Sequence, residues 1–480
     1  TQLVMKRKIF FRADAAAHIG YGHFVRSLAL ADMLKDDFDC TFFTMSPTKY
    51  QQEEVAKVCK LVSLPSDDSR FDIFLGMISG DEIVVLDNYY FSTEYQQLIK
   101  QKGCKLVCID DIHDKHYLAD VVINHTPLDA SYFSVEPYTK LCLGLDWALL
   151  RRPFLDPVDL SKKEAGHWFI AFGGSDYYNL TEKFAKLISE KEGVNRVSVV
   201  VGDAYKYCDS LSINKNVDIY KNLSATEMAT LMQRSEYAIL PTSGICIEAL
   251  AMGCKIFGGY YVDNQIDTYN VFAEQNLINP IGDLRQVTEF SELYYKTHND
   301  CDSSFPLVKL RYRLLFRTLN DNLSYNGMRF INYTSLSLEE HRKIWEARNH
   351  LDIRKQMDII DFIEWDNHCS FVNSLLNNNE KQYWGVYNGD VLIGSVNITF
   401  IDDNRVERGI FIVPDKLGMS WGSKVESATN LLLKGIGVKY VEAKVLKTND
   451  VSLSFHYKNG YGEIDRDERY YYLIKEIKDV

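Results

Sequence analysis

The chain has 480 residues, which at roughly 150 residues per domain predicts about three domains, with ample length to bury real cores. Hydrophobic residues make up 46% and charged residues 25%, with only 27 Gly and 10 Pro, so collagen-like, linker-like and broadly disordered readings are excluded. A net charge of −12, from 54 Lys+Arg against 66 Asp+Glu, argues against duplex nucleic-acid binding, which depends on phosphate neutralisation, and against anionic membrane surfaces.

Short β-branched or aromatic runs alternate with helical stretches from the start. Ile9–Arg12, Thr41–Thr44, Ile83–Asp87, Leu106–Asp110 and Val121–Asn124 read as strands of a parallel, doubly wound sheet. A polar linker, Arg151 to Gly166, follows. The pattern restarts at Trp168–Phe172, Val197–Val201, Val217–Tyr220, Tyr237–Leu240 and Ile256–Gly258. Two α/β units of similar size predict a cleft between them. Behind Pro306, the residues Leu307, Leu310, Leu314 and Leu315 follow helical spacing. A third unit is expected from about residue 327, with strands Met328–Tyr333, Tyr383–Tyr387, Leu392–Phe400, Val406–Val413 and Val441–Leu446 and a helix Ser423–Lys434. The turn Asn388-Gly389-Asp390 joins two of these strands as a hairpin.

The ten cysteines form no CxxC and read as small buried hydrophobes in a reducing cytosol. No run reaches the ~18 apolar residues of a membrane helix. The N-terminus shows no signal-peptide pattern, and the native chain is expected to start at Met5. A cytoplasmic location is therefore expected.

Three loops carry the chemistry. The strand Ile9–Arg12 runs through Ile19-Gly20-Tyr21-Gly22-His23 into a helix, an order that aims backbone N–H groups at a phosphate. His23 at the helix start is favoured in its neutral form by the dipole, which suits a general base for water. His18, in the same loop, is a lesser candidate. The second unit repeats the device with Gly173-Gly174-Ser175-Asp176 and then Thr242-Ser243-Gly244 ahead of a helix carrying Glu248. Glu248 reads equally as a ribose-hydroxyl acceptor or as a first-turn acid complementing the dipole.

The segments FRADAAAHIGYGHFVRSLALA, AFGGSDYYNL, TSGICIEAL and YYVDNQIDTY resemble the nucleotide-sugar hydrolase family of pseudaminic acid biosynthesis, over roughly residues 5 to 280. The resemblance implies a two-lobed GT-B fold and attack of water on the anomeric carbon of UDP-2,4-diacetamido-2,4,6-trideoxy-β-L-altropyranose. It makes His23 the catalytic histidine and Tyr89 a sugar-side tyrosine, with Asn88 where some members have His. It assigns Gly173, Gly174 and Ser175 to the pyrophosphate loop, Ser243 and Glu248 to the nucleotide, and Asn264 and Gln265 to the sugar diphosphate, and Gly20 and Gly22 of the first glycine loop are expected to bind the UDP-sugar. Asp110-Asp111 resembles a metal-binding pair, but helix N-termini stabilise the leaving diphosphate in such enzymes, so no metal is expected. His113, His116 and His125 show no ligand register. With a net acidic chain, local cations such as Arg12 and Arg26 are expected to offset repulsion of the anionic substrate.

Residues 328–480 resemble the GNAT acyl-CoA N-acetyltransferases, and most of all the pseudaminic-pathway enzyme that acetylates the 4-amino group of the UDP-sugar. Gly418, Met419, Ser420 and Gly422 stand at the pyrophosphate loop, with Ser420 replacing the second glycine. Ile412 and Val413 are expected to pair with the pantetheine arm, and Asn449 to contact acetyl-CoA. In Phe455-His456-Tyr457-Lys458-Asn459-Gly460-Tyr461, His456 falls where the family holds the Tyr that protonates the departing thiolate, with Tyr457 as the alternative. Glu407 is a candidate base for the sugar ammonium.

The expected architecture is therefore α/β: two Rossmann-like lobes, 5–152 and 153–326, followed by a GNAT domain, 327–480. The expected function is a fused enzyme that acetylates the UDP-amino-sugar from acetyl-CoA and hydrolyses the diacetamido product. Two alternatives stand beside it, a GT-B glycosyltransferase fused to the acetyltransferase and a hydrolase with a non-catalytic GNAT module. The sequence leaves a homo-oligomer open.

Overall fold

The structure is a computed structural model that describes residues 6–15, 21–174, 176–202, 204–207, 215–290, 305–319, 323–376 and 378–478. His18, Gly20 and Ser175 lie outside the described residues. The chain divides into two compact units, Thr1–Val308 and Lys309–Val480.

The first unit holds two parallel sheets. One runs Lys60–Leu64, Asp39–Met45, Lys8–Ala13, Ile83–Asp87, Lys105–Ile109, Val121–Asn124 and Lys140–Leu143 in spatial order. The other runs Val217–Lys221, Arg196–Val201, Glu164–Ile170, Ser235–Pro241, Lys255–Tyr260 and Asn279–Asp283. Central strands such as Ile83–Asp87 are buried along their whole length, as parallel sheets covered on both faces require. That is why continuous apolar runs located them. The half-exposed edge strand Lys60–Leu64 carries no such run and was not anticipated, nor were Lys140–Leu143 and Asn279–Asp283. Each sheet has its own core: Phe43, Phe74 and Leu106 in the first, and Trp168, Phe184 and Phe257 in the second. The linker is pinned to the second sheet by Lys163, whose Nζ donates to the carbonyls of Met232, Ser235 and Met252 at 3.0, 2.7 and 2.7 Å.

The second unit is an eight-stranded mixed sheet in the order Leu323–Tyr325, Met328–Asn332, Lys381–Asn388, Val391–Phe400, Arg405–Ile412, Tyr440–Leu446, Tyr470–Glu476, Gly462–Arg466. The expected hairpin closes between Asn388 and Val391, with Gly389 at φ +59°. The one parallel pair joins Arg405–Ile412 to Tyr440–Leu446, and its ladder stops after Glu407 and Glu442, so the strands part beyond that rung. Helix Val308–Thr318, read from sequence as trailing the second lobe, belongs largely to this unit. Its Arg313 caps the helix Trp421–Ile436 by donating to the carbonyls of Ile436 (3.0 Å) and Gly435 (2.9 Å). Among the described residues no helix is long and apolar enough to cross a membrane, and eight cysteines are free, six of them buried.

Candidate active sites

Parallel α/β sheets form binding crevices where the strand order reverses, beyond the carboxyl ends of the central strands. In the first lobe that point lies between Lys8–Ala13 and Ile83–Asp87, which pair in register as far as Ala13 and Asp87. Helix Gly22–Leu34 starts beside it with no acid in its first turn and open space around Gly22.

His23 is buried, and its Nδ1 lies 2.7 Å from Asp87 Oδ1. A carboxylate only accepts, so Nδ1 carries a proton, and in the neutral ring Nε2 then presents a lone pair. Nε2 has no partner among the described residues. Arg26 converges on the same carboxylate, with Nε 2.6 Å from Oδ2 and Nη2 2.6 Å from Oδ1, and Ser27 Oγ donates at 3.0 Å. Burial works to raise the Asp87 pKa, but the charge and hydrogen bonds of Arg26, then His23, hold it below the usual carboxylate range. The result is an ionised carboxylate that fixes the orientation of the ring and, in its neutral form, the tautomer.

Tyr89 packs edge-on against His23 with ring centroids 4.7 Å apart. Its hydroxyl donates to Asp111 Oδ2 at 3.1 Å and accepts from Asn264 Nδ2 at 3.0 Å. Burial, then Asp111, pushes the phenol up to about 12, so it stays a neutral donor. The expected residues His23, Tyr89 and Asn264 thus meet at one place, with Asn264 supplied by the second lobe. Gln265 turns inward instead, its Oε1 accepting from Tyr261 N at 3.0 Å. Asn88 pins the loop after the first strand by accepting from Asp14 N at 2.8 Å.

Sequence reasoning passed over Asp87, whose signal was an acid closing a wholly buried strand at the carboxyl end of the sheet. It also set Asp111 aside with a possible metal pair. Asp110 is engaged by the N–H groups of Ile112 and His113 and by Tyr117 and Asn124, while Asp111 takes Arg26 and Tyr89. The expected steering cations are corrected. Arg12 is fully buried and ion-paired with Asp14, and Arg26 lies between Asp87 and Asp111, so both act inside the lobe. His116 pairs with Glu136, and burial, then Arg26, pushes His125 down to about 4.

In the second lobe the order reverses between Glu164–Ile170 and Ser235–Pro241, next to the Gly173-Gly174 and Thr242-Ser243 loops. A Cβ on Gly202 would lie 2.7 Å from Gly174 Cα, so a glycine there lets the loops approach. Helix Leu180–Ser189, which follows the glycine pair, does not offer the expected anion site. Asp176 accepts from Leu180 N at 2.9 Å and Thr181 N at 2.7 Å and so closes that N-terminus. Helix Gly244–Ala251 behind Ser243 does stay open, with no side-chain cap and no first-turn acid. Glu248 on it is gripped in a fork by Arg151, at 2.7 Å to Oε1 and 2.8 Å to Oε2.

In the C-terminal unit the parting of Arg405–Ile412 from Tyr440–Leu446 makes a slot. Val413 N–H donates to Ile393 O at 3.0 Å and its carbonyl accepts from Lys416 N at 3.0 Å, so the expected role of Val413 as a partner for an extended ligand is corrected. Strand alternation turns the backbone groups of Ile410 and Ile412 towards the slot instead. Helix Trp421–Ile436 begins with no side-chain cap and no first-turn acid, behind Gly418 at φ +75° and the exposed Met419. Ser420 adopts φ +60°, the conformation a glycine holds without strain, so its substitution alters cost rather than geometry. Gly422 is its second residue, within the run of open N–H groups.

Asn449 caps helix Asp450–Lys458 by accepting from Ser452 N at 2.9 Å. That helix carries His456 inward and leaves Tyr457 exposed, with its hydroxyl 3.4 Å from Glu463. His456 Nδ1 donates to the Ser452 carbonyl at 2.7 Å, and burial, then Arg408, pushes the imidazole down to about 4. The expected proton donor near neutrality is therefore corrected: His456 is a neutral ring whose Nε2 bears a lone pair in this tautomer. We expect an NMR titration of the His456 ring to show no protonation between about pH 5.5 and 8, because protonation falls near 4. A midpoint inside that window would contradict this. Glu407 is exposed and aligned with Glu442 on the last rung before the slot.

No family model matches the chain. Over 503 aligned residues it is 25% identical to the Uncharacterized protein MJ1062 of Methanocaldococcus jannaschii, covering 95% of this chain and 96% of that protein. Its N-terminal part is homologous to the UDP-2,4-diacetamido-2,4,6-trideoxy-beta-L-altropyranose hydrolase of Campylobacter jejuni, 24% identical over 282 residues, 56% of this chain and 97% of the hydrolase. A further segment is 26% identical to Acetyltransferase PseH of the same organism over 144 residues, 30% of this chain and 89% of that protein. The solved structure of Campylobacter jejuni N-acetyltransferase PseH in complex with acetyl coenzyme A aligns at 21% identity with TM-score 0.27, over 31% of this chain and 98% of that one.

Proposed function

We propose that this chain, a hydrolase-like part fused to a PseH-like part, carries out two consecutive steps on one nucleotide sugar. The C-terminal unit transfers acetyl from acetyl-CoA to the 4-amino group of UDP-4-amino-4,6-dideoxy-β-L-AltNAc. The N-terminal unit then hydrolyses the diacetamido product to UDP and free sugar.

The observation that carries the reading is the His23–Asp87 pair at the switch point of the first sheet. Asp87 holds the ring with Nδ1–H bound and Nε2 free. A water on Nε2 gives up a proton as its oxygen bonds to the anomeric carbon. The bond from that carbon to the diphosphate oxygen breaks, and its electron pair leaves on UDP. The open N-termini of helices Gly22–Leu34 and Gly244–Ala251 offer N–H groups to the departing charge. Tyr89 and Asn264 bridge the lobes at the sugar. In the C-terminal unit the slot suits the extended arm of acetyl-CoA, and the start of helix Trp421–Ile436 its pyrophosphate.

The test follows UDP and free CoA from the purified chain given the UDP-4-amino sugar. CoA release first, with UDP following only when acetyl-CoA is present, is the expected result. CoA release without UDP would remove the hydrolase and favour transfer to an acceptor. UDP formed equally without acetyl-CoA would remove the order of the steps.

A further inference from the structure

A pocket opens behind the His23–Asp87 pair, sharing Asp87 and Tyr89 with it and running between the ends of Ile83–Asp87 and Lys105–Ile109. Its polar walls are unusual. Asn88 and Gln96 are both more than nine-tenths buried, and each has a side-chain amide nitrogen with no acceptor. Their oxygens are already used, Asn88 Oδ1 by Asp14 N and Gln96 Oε1 by Leu118 N at 2.8 Å, so both amides are held with nitrogens committed to donate elsewhere. On the same wall Asp111 Oδ1 is buried without a donor, while its other oxygen takes Arg26 and Tyr89. Phe91, Cys108 and Ile109 supply apolar surface. The nearby cations are engaged, Arg26 with Asp87 and Asp111 and Lys115 with the Tyr89 carbonyl at 2.8 Å.

Two buried donors, one buried acceptor and an apolar wall match a secondary amide with a methyl end. We infer that this pocket receives the 4-acetamido group of the sugar. The acetamido carbonyl accepts from Asn88 Nδ2 and Gln96 Nε2, its N–H donates to Asp111 Oδ1, and its methyl rests on Phe91 and Ile109. An unacetylated ammonium reaches Asp111 but leaves both amide donors buried and unpaired, and a site with unmet buried polar groups rejects a ligand strongly. Hydrolysis then waits for acetylation because the pocket reads the new amide. This rests on the hydrolase reading of the N-terminal unit and names what that unit selects.

Two readouts test it. UDP release without acetyl-CoA is compared for the diacetamido sugar and its 4-amino precursor. Wild type should favour the acetamido sugar at least about tenfold in kcat/KM, the scale of one hydrogen bond. In Gln96→Glu, which keeps the acceptor for Leu118 N–H and deletes the donor, the ratio should fall towards one through KM. Gln96→Leu repeats the measurement without a buried charge if the first variant melts early. The second readout is the 19F resonance of a 4-trifluoroacetamido analogue of the UDP-sugar bound to the full chain. It should shift in wild type and lose that shift in the Gln96 variants, whether or not UDP is released. A shift lost in those variants with no UDP release in wild type would sink the hydrolase and leave the pocket standing. Equal hydrolysis of both sugars by wild type, or a resonance indifferent to Gln96, would overturn the pocket.

Discussion

On the proposed hydrolase reading, His23→Ala is expected to lower UDP release by about 10²–10⁴-fold, the range a positioned general base supplies, with little change in KM for the UDP-sugar. Asp87→Asn separates orientation from proton transfer. An asparagine side chain can turn its amide nitrogen towards Nδ1, which then has to accept and surrenders the Nε2 lone pair. Arg26 would lose one of its two charged partners at the same time and keep Asp111, since Asp87 binds both Arg26 and His23. The expected loss is about 10²-fold or more in kcat. Steady-state UDP release from both variants, with thermal melts to confirm folding, checks this. An Asp87→Asn enzyme within about threefold of wild type would show that the carboxylate does not set the tautomer.

The second large effect concerns stability. Glu426 is 1% exposed and lies 3.1 Å from Arg408, 3.3 Å from Lys475 and 2.9 Å from the Tyr461 hydroxyl. Glu426→Ala strands the guanidinium of Arg408, itself 3% exposed, which has no other ion pair among the described residues. Removing one partner of a buried ion pair costs about 3–5 kcal/mol. Burial works to raise the Glu426 pKa, but Arg408 and then Lys475 hold it below the ordinary 4.5. A folded pKa below the unfolded one means the stabilisation is complete above pH 4.5 and fades as pH falls through the lower folded value. Urea unfolding at neutral pH and in acid measures both effects. A Glu426→Ala loss under about 1 kcal/mol would mean the carboxylate is dispensable there.

Much of the architecture was legible because fully covered parallel strands must be apolar throughout, as Ile83–Asp87 is. Lys60–Leu64 escaped because an edge strand half in water needs no such run. Tyr470–Glu476 was passed over although its unbroken Tyr-Tyr-Tyr-Leu-Ile run consists of residues that favour strands. At the site, His23 stood out through its glycines, and Tyr89, Asn264 and His456 through resemblance. Asp87 did not, since an acid after a strand announces itself only when the strand order is known. His456 was found in place but with the wrong proton, because the Ser452 carbonyl that claims Nδ1–H is fixed by helix geometry and not by motif. Asp176 looked like part of a phosphate loop until its carboxylate was seen capping its own helix.

The parting of Arg405–Ile412 from Tyr440–Leu446 also bears on how the C-terminal unit breathes. A sheet normally exposes unpaired ladder groups only at its rims, where they invite exchange with solvent and pairing with other chains. Here the sheet carries such an edge in its interior, with paired strands on either side. The amide of Ile410, turned towards that slot, therefore sits at the low-protection end of an otherwise rigid sheet, and a ligand laid along the strand would act as the missing rung.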